Sequence, residues 1–205
     1  ASLCCSNNLA VAQMICEERP DILLGYENSH QLVKSILTHW RLLGKMDSIE
    51  WVHENADINV YDTNYDLFVE AFTCNSETVK QYYLKHYYPP PKETAPDLAE
   101  KILIRILVTS MNGVKDMHKM LEHFPDVDFH YNNNQPMKQA ITSGVLHEVM
   151  YINQKANFQF FENYKGAVLI DTALIEKKDE IAAYMLKHDA RYNSVSLYER
   201  HPDKC

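Results

Sequence analysis

Gly44-Lys45-Met46-Asp47-Ser48-Ile49-Glu50-Trp51-Val52-His53-Glu54-Asn55-Ala56-Asp57-Ile58 aligns without a gap on Gly144-Val145-Leu146-His147-Glu148-Val149-Met150-Tyr151-Ile152-Asn153-Gln154-Lys155-Ala156-Asn157-Phe158, one hundred residues further on. Each stretch opens on one of only 5 glycines, as a tight turn that needs left-handed backbone would. Each continues with apolar residues at three- and four-residue intervals, the period of an amphipathic helix. Each closes on Ala-Asp or Ala-Asn, where a helix gives way to a turn. The offset is close to three periods of about 33 residues, so further copies are expected between and around the pair.

They are found at four more anchors. Asn8 leads to Ala12, Ile15 and Pro20-Asp21-Ile22, and Asn75 leads to Val79, Tyr82, Tyr83 and a Tyr87-Tyr88-Pro89 stop. Gly113 leads to Met117, Leu121 and Pro125-Asp126-Val127; Lys178 leads to Ile181, Met185, Leu186 and Asp189-Ala190-Arg191. From anchor 8 to anchor 178 the steps are 36, 31, 38, 31 and 34 residues. Four residues before the anchors stand Cys4, Trp40, Ala71, Thr109 and Ala140, mostly small or apolar, as on the packed face of a preceding helix. Units end in Asp/Asn segments with alternating aromatics: Asp57-Ile58-Asn59-Val60-Tyr61-Asp62, Asp126-Val127-Asp128-Phe129-His130-Tyr131 and Asn157-Phe158-Gln159-Phe160-Phe161. Such patterns predict turns or short β-hairpins.

A turn plus two short helices per unit, with Ala56-Asp57-Ile58-Asn59 and Ala156-Asn157-Phe158 endings, resembles the ankyrin repeat from about residue 4 to residue 194. The family's Thr-Pro-Leu-His opening is absent. Asn64-Tyr65-Asp66-Leu67, Gln135-Pro136-Met137-Lys138 and Gly166-Ala167-Val168-Leu169 stand in its places. The resemblance implies an all-α, ankyrin-like solenoid of about five to six helix-turn-helix units with short loop or hairpin fingers. Their spans are 1–27, 28–63, 64–96, 97–133, 134–164 and 165–194, followed by a tail at 195–205. The first unit begins at its turn, so it reads as a half-repeat cap or the start of a fragment. Pro89-Pro90-Pro91-Lys92-Glu93-Thr94-Ala95-Pro96 breaks the third unit, because proline cannot continue a helix. A rigid exposed linker accounts for it better than a polyproline docking segment.

Composition narrows the function classes. Apolar residues make up 46% and charged residues 23%, enough to fold a core. A net charge of −8, without a dense Lys/Arg cluster, predicts no nucleic-acid partner. No stretch approaches the roughly 20 apolar residues that cross a bilayer, so no membrane partner is expected. The 5 cysteines have no framework spacing, and Ala1-Ser2-Leu3-Cys4-Cys5 lacks the features of a secretory signal. Reduced thiols in the cytoplasm are expected.

Chemistry-bearing motifs are sparse. No glycine-rich phosphate loop and no Gly-x-Ser-x-Gly elbow occurs. His118, His123 and His130 do not share a helical face and have no Cys-x-x-Cys pair beside them, so neither a metal nor any other cofactor is expected. Cys4, Cys5 and Cys16 read as small hydrophobes, and Glu17-Glu18 and Asp179-Glu180 as solvated faces. The enzyme alternative is a hydrolase with Cys74 as nucleophile and His86 or His118 as base, which needs an activated thiolate. The expectation is a non-enzyme.

What remains is surface. The ankyrin resemblance implies partner binding through the finger tips and the adjoining concave face. The tips would present Tyr61, Asp62, Asn64 and Tyr65, then His130, Tyr131 and Asn132, then Phe160, Phe161, Glu162 and Tyr164. Aromatic side chains suit interfaces because they join apolar area to a polar handle. Phe129 and Phe158 fit the inward set, whereas Tyr61, His130 and Phe161 fit exposed positions. Tyr-, Asn- and Lys-rich, Gly-poor arrays look like those of large eukaryotic DNA viruses and of intracellular bacterial effectors. That likeness implies a host-modulating factor in the host cytoplasm whose partner is another protein, for example a signalling or ubiquitin-pathway component. The chain itself is expected to be a monomer or weak homodimer, with self-assembly as a further alternative.

Overall fold

The computed structural model describes residues 17–18, 30–31, 33–34, 37, 46–56, 58–61, 65–74, 76–89, 95–160 and 169–188. Among them the protein is all-α: nine helices are delimited and no strand occurs. The described fingers are therefore turns without a β-hairpin. No helix of the described residues is long and apolar enough to cross a membrane. The chain divides into two compact units, Ala1–Leu98 and Ala99–Cys205.

The first unit holds α1 (Met46–Asn55), α2 (Asp66–Thr73) and α3 (Glu77–Tyr87). Five of the eight residues of α2 are buried, Leu67, Phe68, Val69, Ala71 and Phe72, so this short helix forms core on most of its circumference. Its partner α3 buries only Val79 and Tyr83. The Ser76 hydroxyl caps α3 by accepting from the Val79 N–H at 3.4 Å. Glu77 in the first turn and Lys85 and His86 in the last complement the α3 dipole.

The second unit contains the remainder of α4 (Leu98–Thr109), then α5 (Gly113–His123), α6 (Tyr131–Ser143), α7 (Leu146–Ala156), α8 (Leu169–Ile175) and α9 (Asp179–His188). Here α6 packs against α7 and α8, α8 against α9, and α7 against both α5 and α9. Two rows result, α6 beside α8 and α5 beside α7 beside α9. The second-row helices bury narrow stripes, such as Gly113, Met117 and Met120 on α5 and Ile181, Ala182 and Met185 on α9. That is the pattern of helices with one solvated side.

Helices end at Thr73, Thr109, Ser143 and Ile175; of the anchors, Gly144 lies in the turn itself, Lys178 just past a left-handed residue, and Gly113 opens a helix. Their chemistry differs from turn to turn. Gly144 caps α6 at φ 79, as a left-handed turn glycine should. After α8 the left-handed residue is Lys177 (φ 56), one before the anchor Lys178. The Lys178 N–H donates to the Ala173 carbonyl and the Lys177 N–H to Leu174, the paired bonds of a Schellman cap. Gly113 is not left-handed. It lacks a side chain because the buried Glu148 carboxylate lies where one would project, with Oε1 2.0 Å from an ideal Cβ position. Anchors 8, 44 and 75, residues 90–94 of the proline segment and the tail at 195–205 lie outside the described residues.

Side-chain hydrogen bonds joining distant parts of the chain have similar reach. Lys34–Asp66, His53–Tyr83, His53–Tyr87, Glu100–Asp128, His130–Ala156 and Asn153–Tyr184 span 32, 30, 34, 28, 26 and 31 residues. The His53 and Asn153 bonds join α1 to α3 and α7 to α9, whereas His130–Ala156 ties the start of α6 to the end of α7.

Candidate functional site

The finger preceding α6 is fixed from its base upward. Glu100 on α4 is 8% exposed, and its Oε1 accepts the Asp128 N–H at 2.8 Å. Asp128 in turn accepts the His130 N–H through Oδ1 at 2.8 Å and the Tyr131 N–H through its carbonyl at 3.1 Å. The His130 ring lies over Phe158, centroids 4.2 Å apart, with Nδ1 3.0 Å from Asn134 Oδ1 and Nε2 3.3 Å from the Ala156 carbonyl. Phe129 and Phe158 turn inward and are buried.

This base carries an unusual backbone. Asn132, Asn133 and Asn134 all take the left-handed region, at φ 45, 63 and 62. Asparagine tolerates that region better than most residues, but as an isolated residue and not as a run of three. The Asn134 N–H closes the turn on the His130 carbonyl at 3.1 Å, and Pro136 follows early in the regular helix, where its missing N–H is not needed. Asn134 is buried, whereas His130 and Asn132 are exposed and Tyr131 is partly so. The turn thus holds three neighbouring side chains outward on a strained, over-determined loop, as binding loops commonly do.

The finger preceding α2 repeats one element of this arrangement. Tyr65 stands just before α2 at φ 65, strained geometry for so bulky a residue. Its phenol is raised above the ordinary value, by partial burial first and then by the Asp97 carboxylate, which accepts its hydrogen bond. Tyr61 is less available than its position in the sequence implies. Its ring stacks on Phe68 at 5.8 Å, its hydroxyl oxygen is buried without a partner, and desolvation pushes the phenol up to about 12.

Phe160 is corrected by the structure. It is 1% exposed and meets Tyr184 edge-on at 6.1 Å, so it forms core and cannot contact a partner directly. The order buried, exposed, buried at Phe158, Gln159 and Phe160 groups it with Phe158 in the inward set. Asp62, Asn64, Phe161, Glu162 and Tyr164 lie outside the described residues. Sequence reading missed Glu100 and Asn134, which position the tip without belonging to it. Glu100 lies in an apolar helix, and that buried carboxylate was the available signal.

The Cys74 thiol is placed unlike a nucleophile. Its Sγ faces the Ala71 carbonyl at 3.0 Å and the Ser76 carbonyl at 3.7 Å, and burial pushes the thiol up, away from thiolate. The His86 ring lies tilted against Tyr82, centroids 4.5 Å apart, and the His118 ring tilted against Tyr151 at 5.0 Å. Among the described residues no group of three His, Cys, Asp or Glu side chains is arranged to hold a metal.

No protein-family model, no curated protein and no solved structure matches this chain.

Proposed function

We propose that the chain is a protein-interaction module built as a degenerate, ankyrin-like array, which grips a partner protein with its finger tips. The spacing of its long-range side-chain bonds carries the architectural half of this reading. Bonds spanning 26 to 34 residues are what a stack of units contacting only their neighbours produces. The two rows of the second unit fit the first and second helices of such an array. The left-handed Asn132–Asn134 turn supports the functional half. Strain held in place by Glu100, Asp128, His130 and Ala156 is retained where a rigid display is useful. The partner class that accompanies this reading is a signalling or ubiquitin-pathway protein of a host cytoplasm.

The experiment is site-specific photocrosslinking in cells, with the reactive residue at Tyr131 or Asn132 and a control at Lys119 on α5. A discrete adduct at 131 or 132, absent at 119 and lost in a His130→Ala/Asn132→Ala variant of unchanged fold, is the expected outcome. Identical adduct patterns at all three positions would remove the finger from the binding surface.

A further inference from the structure

Asn112–Gly113 is the one Asn-Gly pair in the chain. It stands where α4 gives way to α5, with Asn112 just ahead of the helix and Gly113 as its first residue. Asn112 is exposed, and its carboxamide does not cap the helix that it precedes. Its N–H donates to the Ser110 hydroxyl at 2.9 Å, so the backbone is held while the side chain is left to solvent. Asn55, Asn59, Asn134 and Asn153 differ, since each commits its carboxamide to a hydrogen bond. Gly113, at the first helical position, has no intrahelical acceptor for its N–H. An unengaged carboxamide therefore precedes a backbone nitrogen that no side chain shields.

At ψ 48 the Gly113 nitrogen points away from the Asn112 side chain. Turning the 112–113 peptide plane over brings it to the carboxamide carbon and carries Gly113 toward positive φ, which glycine adopts without strain. The turnover breaks the bond from the Asp116 N–H to the Asn112 carbonyl, 3.1 Å, at the first turn of the helix, where local opening is easiest. The Gly113 nitrogen then loses its proton to hydroxide and attacks Cγ of Asn112. A C–N bond forms, and the carboxamide nitrogen departs as ammonia. Water opens the resulting five-membered imide at one of two carbonyls. Opening at the side-chain carbonyl gives aspartate, and opening at the backbone carbonyl gives isoaspartate. Water is the only co-reactant.

We propose that Asn112–Gly113 is a self-modification site, and that the isoaspartate formed there releases α5 from α7. Isoaspartate routes the chain through Cβ and Cγ, which adds one backbone atom ahead of the Gly113 nitrogen. Gly113 tolerates no such shift. Glu148 Oε1 on α7 lies 2.0 Å from the place of its missing Cβ. Glu148 is 2% exposed and accepts from the Ser143 hydroxyl at 3.1 Å, so the carboxylate has little room to follow. The aspartate product adds the same charge without the extra atom, and aspartate just ahead of a helix is a good cap. The two products thus act in opposite directions on one turn. The chemistry proceeds whether or not the finger before α6 binds a partner.

The test ages the whole protein at mildly alkaline pH and follows the tryptic peptide Ile106–Lys115, in which Asn112 is the only carboxamide, by mass spectrometry. The amide-to-acid mass gain is expected to accumulate at Asn112 ahead of Asn55, Asn59, Asn134 and Asn153, and an isoaspartyl methyltransferase should label the aged peptide. Asn112→Gln, whose longer side chain closes a ring far more slowly, should show no gain. The isoaspartate species, separated by ion exchange, should melt several degrees below the parent, whereas Asn112→Asp made directly should melt with the parent or above it. No accumulation at Asn112 over a period that fully converts a synthetic 106–115 peptide overturns the self-modification. An isoaspartate species that melts with the parent, or Asn112→Asp that melts as low as the isoaspartate species, overturns the release of α5.

Discussion

Acidification should unfold the first unit through one residue, His53. The imidazole is wedged between tyrosines, with Nε2 2.9 Å from the Tyr83 hydroxyl and Nδ1 2.9 Å from that of Tyr87. The rings of Tyr82, Tyr83 and Tyr87 surround it, centroids 5.9, 5.4 and 5.4 Å away. A neutral imidazole suits this cage, donating to one tyrosine oxygen and accepting from the other. The charged form does not. Burial first, and the neighbouring His86 second, lower its pKa from 6.5 to about 4. Glu50 and Glu54 act on Tyr82 at the rim. In the unfolded chain His53 takes up a proton near pH 6.5, while in the folded chain it waits until about 4. Between these values the unfolded state binds more protons, so stability falls as pH falls through that window and levels off below it. At 1.36 kcal/mol per pH unit the gap amounts to about 3 kcal/mol, a large fraction of a small unit's stability. Both tryptophans, Trp40 and Trp51, belong to Ala1–Leu98, so their fluorescence follows this unit alone. Urea unfolding of the parent and of His53→Gln, whose amide donates and accepts but does not titrate, should diverge by that amount between pH 7 and pH 4. Nuclear magnetic resonance titration of the His53 ring provides the second measurement. Parallel pH profiles, or a ring that titrates near 6.5, would refute the reasoning.

Gly113→Ala places a methyl group 2.0 Å from Glu148 Oε1 and should cost about 1–3 kcal/mol in a thermal melt, with much of the loss recovered by adding Glu148→Ala. Gly144→Ala forces φ +79 on a residue with a side chain and should cost about 1 kcal/mol, whereas Gly144→Asn should cost less. Asn132→Gly keeps the left-handed backbone and should be neutral or slightly stabilising, while Asn132→Val should lose about 1–2 kcal/mol; equal melting temperatures would show that the turn is not strained. Glu100→Ala removes the acceptor of the Asp128 N–H and should lower stability by about 1 kcal/mol, with faster amide exchange at Asp128 and His130 than in the parent.

Helices were legible because their signal is periodic and local. Val79 and Tyr83 on α3 and Met117 on α5, read from windows of a dozen residues, are buried, although Met120 and not Leu121 continues the α5 stripe. The two glycine anchors that the structure describes serve different needs. Gly144 needs a left-handed torsion, which local sequence can announce. Gly113 needs the space taken by Glu148, which no local window contains. Exposure at the tips was the harder inference for the same reason. Phe160 follows Phe158 inward by simple alternation around the exposed Gln159, whereas His130 stays exposed while lying on Phe158. Whether an aromatic in such a segment is contact or core depends on what packs over it, as Phe158 lies under the His130 ring and Phe160 against Tyr184.

The same dependence explains where polar groups are buried. Glu100, Glu148, Asn134 and His53 occupy positions where a leucine would seem to add more stability. Burying them carries a desolvation cost that apolar residues avoid. What the first three contribute is register. Glu100 fixes a finger 28 residues away, Asn134 orients the His130 ring against the Ala156 carbonyl, and Glu148 fits only against a glycine on the preceding helix. Apolar stripes alone let similar helical pairs slide or exchange neighbours, since one leucine face accepts another. A carboxylate that needs one particular N–H, or one particular bare Cα, does not slide. These polar contacts fix the finger before α6 and the seat of α7 against α5. They also make the His53 cage a weak point under acid, because a polar group buried for register can acquire a charge and a methyl group cannot.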